Sequence, residues 1–446
     1  MKIESTQTIL VIGQGGREHA IAWKLSGELA PRSRILVAPG NAGTSEETID
    51  VARARGAVKM ENCAVALDDL PGLLALAQAR AVDFTVVGPE VPLALGIVNL
   101  FEAHGLPIFG PRANAAMLEA SKAFSKNFLA RHQIPTARYQ VFTDAARALE
   151  YLAEQNLPIV IKADGLAAGK GVVVALDRAQ AEAAVLDMLA MSQAGSASSG
   201  DEARIVIEEF LAGVEASYIV IASGTDFIAL ATSQDHKRVG DSDTGPNTGG
   251  MGAYSPAPVV TPDIEAQIQQ SIIAPTLAGM QAEGRKFCGF LYAGVMIDAT
   301  GIARVLEFNA RLGDPETQAI LSRMTSPLLP LLKAAAAGTL AQQAAPGWDP
   351  RTALGVVLCA GGYPGPIEKG QRVRDTVAQN ASANSHVFHA GTQVRHGETL
   401  TNGGRVLCVV GLGSSVSEAQ TNAYARADHI SWPGSFMRRD IGWRAI

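Results

Sequence analysis

Cysteine is scarce, with only Cys63, Cys288, Cys359 and Cys408 among 446 residues. They lie far apart and form no C-x-x-C pair, which excludes a zinc knot and a disulfide framework and fits a reducing cytoplasm. Positive charge is not in excess either. Lys and Arg number 37 against 43 Asp and Glu, and a formal charge of −6 presents no basic face to a nucleic acid. Long apolar runs are missing: residues 91–100 and 328–337 are interrupted by Pro, Asn or Lys and fall short of the roughly 20 residues a membrane helix needs. The run at 9–12 is too short for a signal peptide and leads straight into a glycine turn. What remains is a soluble, cytoplasmic chain that binds neither nucleic acid nor membrane.

Apolar residues are plentiful at 47%, and 45 glycines point to tight turns and close helix packing. Single cores stop growing at roughly 250–300 residues, so this length suits two to four packed units. Residues 8–12, 34–38 and 84–87 read as strands, with helical patterns at 18–26 and 70–79 between them. That alternation predicts βαβ units around a parallel sheet. Ligands sit in loops at the carboxyl ends of such strands, here 13–17, 39–43 and 88–90, which would form one pocket. A helix is expected around 117–132, then strands at 159–163 and 172–176 flanking a glycine loop, and an exposed loop at 191–201. Strands dominate from 204 onward (205–208, 217–222, 227–231, 294–298 and 303–307), interrupted by a glycine-rich stretch at 244–254. Residues 334–350 look like a linker, followed by strands 353–360 and 405–411 and a helix at 415–430.

Several stretches carry chemistry. Gly13, Gly15, Gly16, Arg17 and Glu18 follow a strand and open a helix, the arrangement in which backbone N–H groups approach a phosphate. Glu18 stands at the third glycine position of G-x-G-x-x-G, however, and no acid ends the second strand, where Val37, Ala38, Pro39 and Gly40 stand. A nicotinamide cofactor is thereby disfavoured; a smaller phosphorylated ligand and simple helix packing both stay open. Lys162 and Lys170 frame a glycine loop, which suits closure over a nucleotide. It is not a Walker A loop, because Gly171 replaces Ser or Thr and a strand follows. A plain hairpin turn is the alternative. Glu208, Glu209, Phe210 and Leu211 leave a strand as a backbone hinge beside an apolar wall suited to adenine, with Glu215 within reach of a ribose; an ordinary strand end reads the same way. Glu307 and Asn309 stand two apart in an apolar strand and so share a face, offering hard oxygen ligands to Mg²⁺. Asp298 is a candidate third ligand. Arg311 would meet a transferring phosphoryl group on that face if the strand persists. Residues 233–252 form either a surface loop or a holder for a small zwitterion.

Together, the loop at 162–171, the hinge at 208–211 and the Glu307/Asn309 pair resemble the ATP-grasp superfamily. Over essentially the whole chain, the stretches 11–20, 38–43, 87–90, 161–172, 233–256 and 311–316 resemble, in order, the phosphoribosylamine–glycine ligase family. The resemblance implies an α/β and α+β multidomain fold: an N-terminal parallel α/β domain (1–115), an ATP-grasp core of a nucleotide lid (116–215) and a central subdomain (216–335), and a small C-terminal α+β domain (350–446). It implies ATP-dependent joining of glycine to 5-phosphoribosylamine through glycyl phosphate, with ATP as co-substrate, Mg²⁺ or Mn²⁺ as cofactor, small-molecule partners, and a monomer or small homo-oligomer. Phosphoribosylamine falls to Gly15, Gly16, Arg17, Glu18, Asn41, Gly88, Pro89 and Glu90. Further substrate contacts fall to Asp235 and Arg311. ATP falls to Lys122, Lys162, Gly165, Leu166, Ala167, Ala168, Gly169, Lys170, Gly171, Glu208, Glu209, Phe210, Leu211 and Glu215. The metal falls to Glu307 and Asn309, with Lys162 and Arg311 acting in catalysis. Ala310 and Leu312 stand where the family more often has Cys and Phe.

Overall fold

The computed structural model describes residues 5–45, 58–166, 171–196, 203–377 and 384–446. Its N-terminal sheet has five parallel strands, in the spatial order Lys59–Asn62, Arg34–Pro39, Thr8–Gly13, Phe84–Val87 and Ile108–Phe109. The first strand is central, and the chain winds outward from it in both directions. The order therefore reverses beside Thr8–Gly13, which leaves a crevice at the carboxyl ends of three neighbouring strands. Gly40 N–H and Gly88 N–H donate to Gly13 O and Ile12 O, each at 3.0 Å, and bring the three expected loops together.

Two further sheets face each other across a cleft. One is antiparallel, in the order Tyr139–Phe142, Ile205–Glu209, Ile159–Ala163, Val172–Ala175. Ile159, Ile161 and Ile207 on one of its faces pack against Ala148, Leu152 and Val185 of the helices Ala145–Ala153 and Arg178–Ser196. Strand alternation then turns Val160 and Lys162 to the opposite face, toward the cleft. The second sheet runs Asp226–Ala229, Val214–Ser223, Cys288–Ile297, Ala303–Asn309, also antiparallel. A fourth sheet combines Gln234–Asp235 and Gly252–Ser255 with Thr352–Cys359, Arg405–Gly413 and Ser385–His389. Gly252–Ser255 thus hangs from the C-terminal strand Thr352–Cys359, and Gln234–Asp235 joins the sheet through Gly252–Ser255.

Three local expectations change. The helix expected at 117–132 is two, Ala113–Ala120 and Lys122–Arg131, because Ser121 leaves helical geometry and its hydroxyl caps the second by accepting from Phe124 N–H at 3.0 Å. The loop expected at 191–201 begins as helix, since Arg178–Ser196 runs through its first half; residues 197–202 lie outside the described residues. The linker at 334–350 is anchored, with Leu340 fully buried in a short 3₁₀ turn. Among the described residues no helix is long and apolar enough to cross a membrane.

Three buried histidines join these units. His389 N–H donates to His19 Nδ1 at 2.8 Å, and Gly442 N–H donates to His236 Nε2 at 3.1 Å. An imidazole that accepts through one nitrogen and is cut off from water stays neutral. Burial is the main cause pushing His19 down to about 3, with His389 beside it adding to the effect. Burial likewise pushes His236, with Arg444 and Arg438 adding, and His389 to about 4. All lie below the ordinary value of 6.5, so between about pH 6.5 and 4 the unfolded chain binds the extra proton and each histidine costs stability as pH falls. Replacing His236 by Gln, which keeps an acceptor and cannot titrate, is expected to remove about 1.4 kcal/mol per pH unit from the decline in that window. Urea denaturation of both proteins at pH 7 and pH 5 measures the difference; parallel declines would refute it.

Candidate active site

A cavity of about 670 Å³ lies where the facing sheets meet the crevice of the N-terminal sheet. Its innermost wall depends on an irregularity in Ala303–Asn309. Val305 pairs with Val295 and Glu307 with Gly294, so Leu306 is an extra residue in the ladder. Such a bulge reverses the side-chain parity of the strand. Ala303 and Val305 are buried before it and Phe308 after it, leaving Glu307 and Asn309 on the cavity face. Gly294, opposite Glu307, has no side chain to fill the space. The displaced Leu306 carbonyl accepts from Lys162 Nζ at 3.1 Å.

Cations surround Glu307. Burial alone would raise its carboxyl, but Lys237, at 3.7 Å, and Lys162, Lys122 and Arg311 outweigh it and hold the group down at about 2. The lysines are themselves braced. Glu208 is buried and pairs with Lys162 at 3.0 Å and Lys126 at 2.8 Å. Burial lowers Lys126 to about 8 despite Glu208. Lys122 Nζ donates to Gly165 O at 2.9 Å, and Asp164 accepts from Ser121 Oγ and Ala123 N, fixing the mouth of the glycine loop to the helix. Lys237 also pairs with Glu215. On the same side burial pushes Asp235 up to about 8, with Lys237 opposing and Glu316 and Glu215 reinforcing the rise.

Arg311 sits just past the strand, which ends at Asn309, so strand alternation does not aim it. Acceptors do. Its guanidinium reaches Glu119 at 2.8 Å, Glu90 at 3.3 Å and Leu312 O at 3.2 Å, while Glu119 also accepts from Ala310 N at 2.8 Å. Arg17 converges on the same place, donating to Leu312 O at 3.0 Å and lying 4.0 Å from Glu90.

Among the residues expected from sequence, the cavity wall brings together Arg17, Glu90, Lys122, Lys162, Gly165, Leu166, Gly171, Glu208, Glu209, Phe210, Leu211, Glu215, Asp235, Glu307, Asn309 and Arg311. Gly15, Gly16, Glu18, Asn41, Gly88 and Pro89 are not among the residues that line it. Glu18 is 2% exposed and accepts from Gly15 N at 2.6 Å and Arg17 Nε at 2.5 Å. A Cβ on Gly13 or Gly88 would come within 1.9 Å or 2.3 Å of the Glu18 side chain, so these glycines make room for a carboxylate of the chain itself. Asn41 is also committed, donating to Gln14 O at 2.9 Å and His389 O at 2.8 Å. Ala167, Ala168, Gly169 and Lys170 lie outside the described residues. Asp298 is not a cavity residue: it accepts from the N–H groups of Thr300 and Ile302 in its own turn and lies 3.6 Å from Arg304. Asp298→Asn is therefore expected to leave turnover within about twofold of wild type, since surface changes away from a site cost little. A loss resembling that of a metal ligand would return Asp298 to the site.

Comparison with known proteins gives these residues a context. The chain matches three consecutive families, the N domain of phosphoribosylglycinamide synthetase over residues 7–119, its ATP-grasp (A) domain over 120–317 and its C domain over 353–444. It is 55% identical to a phosphoribosylamine–glycine ligase of Vibrio cholerae and 57% identical to one of Xanthomonas campestris, each over 98% of both chains. The chain belongs to the phosphoribosylamine–glycine ligase family. A solved ligase of this family from Thermotoga maritima is 32% identical, with a TM-score of 0.78 over 97% of this chain and 100% of its own. A biotin carboxylase of Campylobacter jejuni, at 14% identity and a TM-score of 0.72 over 97% of this chain and 93% of its own, shares the fold alone. The expected multidomain fold, with a parallel N-terminal domain, an ATP-grasp core and a C-terminal domain, is the one observed.

As a member of this ligase family, the chain has a site richer than its motifs disclosed. Glu119, Lys126 and Lys237 all line the cavity, and none stood out in the sequence. Glu119 and Lys126 read as ordinary charges on helices, and Lys237 as one more polar loop residue. The donor set also suits a hard divalent cation. Glu307 is ionised and Asn309 offers a carbonyl on the same face, yet no group of three or more His, Cys, Asp or Glu among the described residues is arranged to hold an ion. Such a site fits an ion that keeps several waters and takes its remaining oxygens from phosphates.

Proposed function

We propose that the chain joins glycine to 5-phosphoribosylamine at the expense of ATP, in two steps that share the cavity. Adenine lies against the 208–211 hinge and the apolar side chains of Val160, Val174 and Leu306, with Glu215 toward the ribose. Lys122, Lys162 and the loop to Gly171 hold the phosphates. Glu307 and Asn309 hold Mg²⁺ or Mn²⁺, which when bound offsets charge on the phosphate oxygens. Glycine sits beside Asp235 and Lys237, its carboxylate toward the γ-phosphate. A carboxylate oxygen attacks the γ-phosphorus and ADP leaves, giving glycyl phosphate. The amine of phosphoribosylamine, entering from Arg17 and Glu90, attacks the acyl carbon; phosphate leaves and takes up the proton lost by nitrogen.

One observation carries this reading: Arg311 stands between Glu119 on the nucleotide side and Glu90 on the N-terminal crevice. A single guanidinium placed there faces both the phosphoryl group formed in the first step and the acyl oxygen attacked in the second. The arrangement requires no protein nucleophile. Glu18 and Asn41 act through the loops that they brace, and a direct substrate contact is proposed for Arg17 and Glu90. The test is ADP release with glycine and freshly made phosphoribosylamine, each omitted in turn. Release that ignores glycine would refute the assignment.

A further inference from the structure

The stretch bearing Asp235 and Lys237 continues into a short hairpin, Arg238–Gly240 with Thr244–Asn247, joined by a turn at Asp241–Asp243. In that turn Ser242 has φ 55° and Asp243 φ 54°, a left-handed backbone that L side chains rarely adopt. Two such residues in succession need support from outside the turn, and a distant segment supplies it. Arg438 is 1% exposed; its guanidinium donates to Arg238 O at 3.1 Å and Asp243 Oδ1 at 2.9 Å, and clasps both oxygens of Asp440 at 2.8 Å. Asp440 in turn accepts from Ser242 N–H at 2.8 Å, and Asp241 accepts from Arg439 N–H at 2.8 Å. Arg444 pairs with the second oxygen of Asp243 and donates to Asp235 O at 3.4 Å. The segment therefore grips the first strand of the hairpin and all three residues of its turn, and reaches the backbone of a cavity residue.

We propose that Arg438 is a positioning residue for the amino acid substrate, holding the left-handed turn so that Asp235 and Lys237 present their side chains to glycine. This rests on the reading of Asp235 and Lys237 as the glycine side of the cavity. Lys237 also meets Glu215 and Glu307, but the phosphate lysines Lys122 and Lys162 and the 208–211 hinge stand on other elements, so the effect falls chiefly on glycine.

Steady-state kinetics of Arg438→Gln and Arg438→Lys test it, with thermal protection by MgADP measured alongside. Losing a charged, buried hydrogen-bond network raises KM for glycine at least about tenfold in Arg438→Gln. KM for ATP and protection by MgADP stay within about twofold, and Arg438→Lys, which keeps the charge without the fork, falls between. Should Arg438→Gln not fold, Arg444→Ala removes the contacts to Asp243 and to the Asp235 carbonyl, and the same selective rise is expected. An unchanged KM for glycine, or parallel rises for glycine and ATP, overturns the inference. Wild-type protein without glycine-dependent ADP release overturns the functional reading, and this inference with it.

Discussion

Exchanging Glu307 for Gln is expected to lower kcat on the order of a thousandfold, because in the proposed reaction several kcal/mol of transition-state charge stabilisation would depend on a metal held by this carboxylate. The replacement keeps shape and one carbonyl oxygen but removes the only acid in the Glu307/Asn309 pair. ATP affinity should suffer far less, since Lys122 and Lys162 remain and are relieved of a competing anion. A fall in kcat that outweighs the rise in KM for ATP is thus the signature, and higher Mg²⁺ should recover part of it. Steady-state rates across a Mg²⁺ series, with circular dichroism to show a retained fold, measure both. Turnover within tenfold of wild type would place the metal elsewhere.

The sequence made this pair legible for a simple reason. Residues two apart share a face wherever a strand is unbroken between them, so Glu307 and Asn309 were expected to point the same way, and two polar residues in an apolar strand mark a candidate site. Which way they point was not legible. Unbroken alternation from buried Ala303 and Val305 would bury Glu307 as well, and only the extra residue at Leu306 turns it to the cavity. Bulges arise from pairing with a partner strand, here through Gly294, and leave no local mark.

The glycine turn at 13–18 shows the opposite case. Its pattern announced backbone N–H groups at a helix N-terminus suited to a phosphate, and one of them, Gly15 N–H, donates to the Glu18 side chain at 2.6 Å. That outcome depends on Gly88 arriving from a strand more than seventy residues later to complete the space around the carboxylate. The three-loop crevice itself was legible, because strand and helix alternation dictates a parallel sheet and a parallel sheet dictates where its loops gather. Glu119 and Lys126 were not. Their importance lies in partners, Arg311 and Glu208, that only tertiary packing supplies.

Arg311→Ala is expected to lower kcat by about 10²–10³-fold, the usual cost of removing a fixed donor from developing negative charge. Arg311→Lys should recover little, because one ammonium cannot reach Glu119, Glu90 and Leu312 O together. The same change bears on stability. Burial already raises the Glu119 carboxyl, and Arg311, at 2.8 Å, is the main charge opposing that rise, so removing the guanidinium lifts Glu119 further. A folded pKa above the ordinary 4.5 means that the folded state of the variant holds a proton that the unfolded chain releases. Its stability then falls as pH rises above about 4.5, until the raised pKa is passed. The deficit of Arg311→Ala relative to wild type should accordingly be small near pH 5 and grow toward pH 8, where leaving a buried carboxylate unpaired costs about 3–5 kcal/mol. Urea denaturation at the two pH values separates this from a general packing defect, which would produce equal deficits at both.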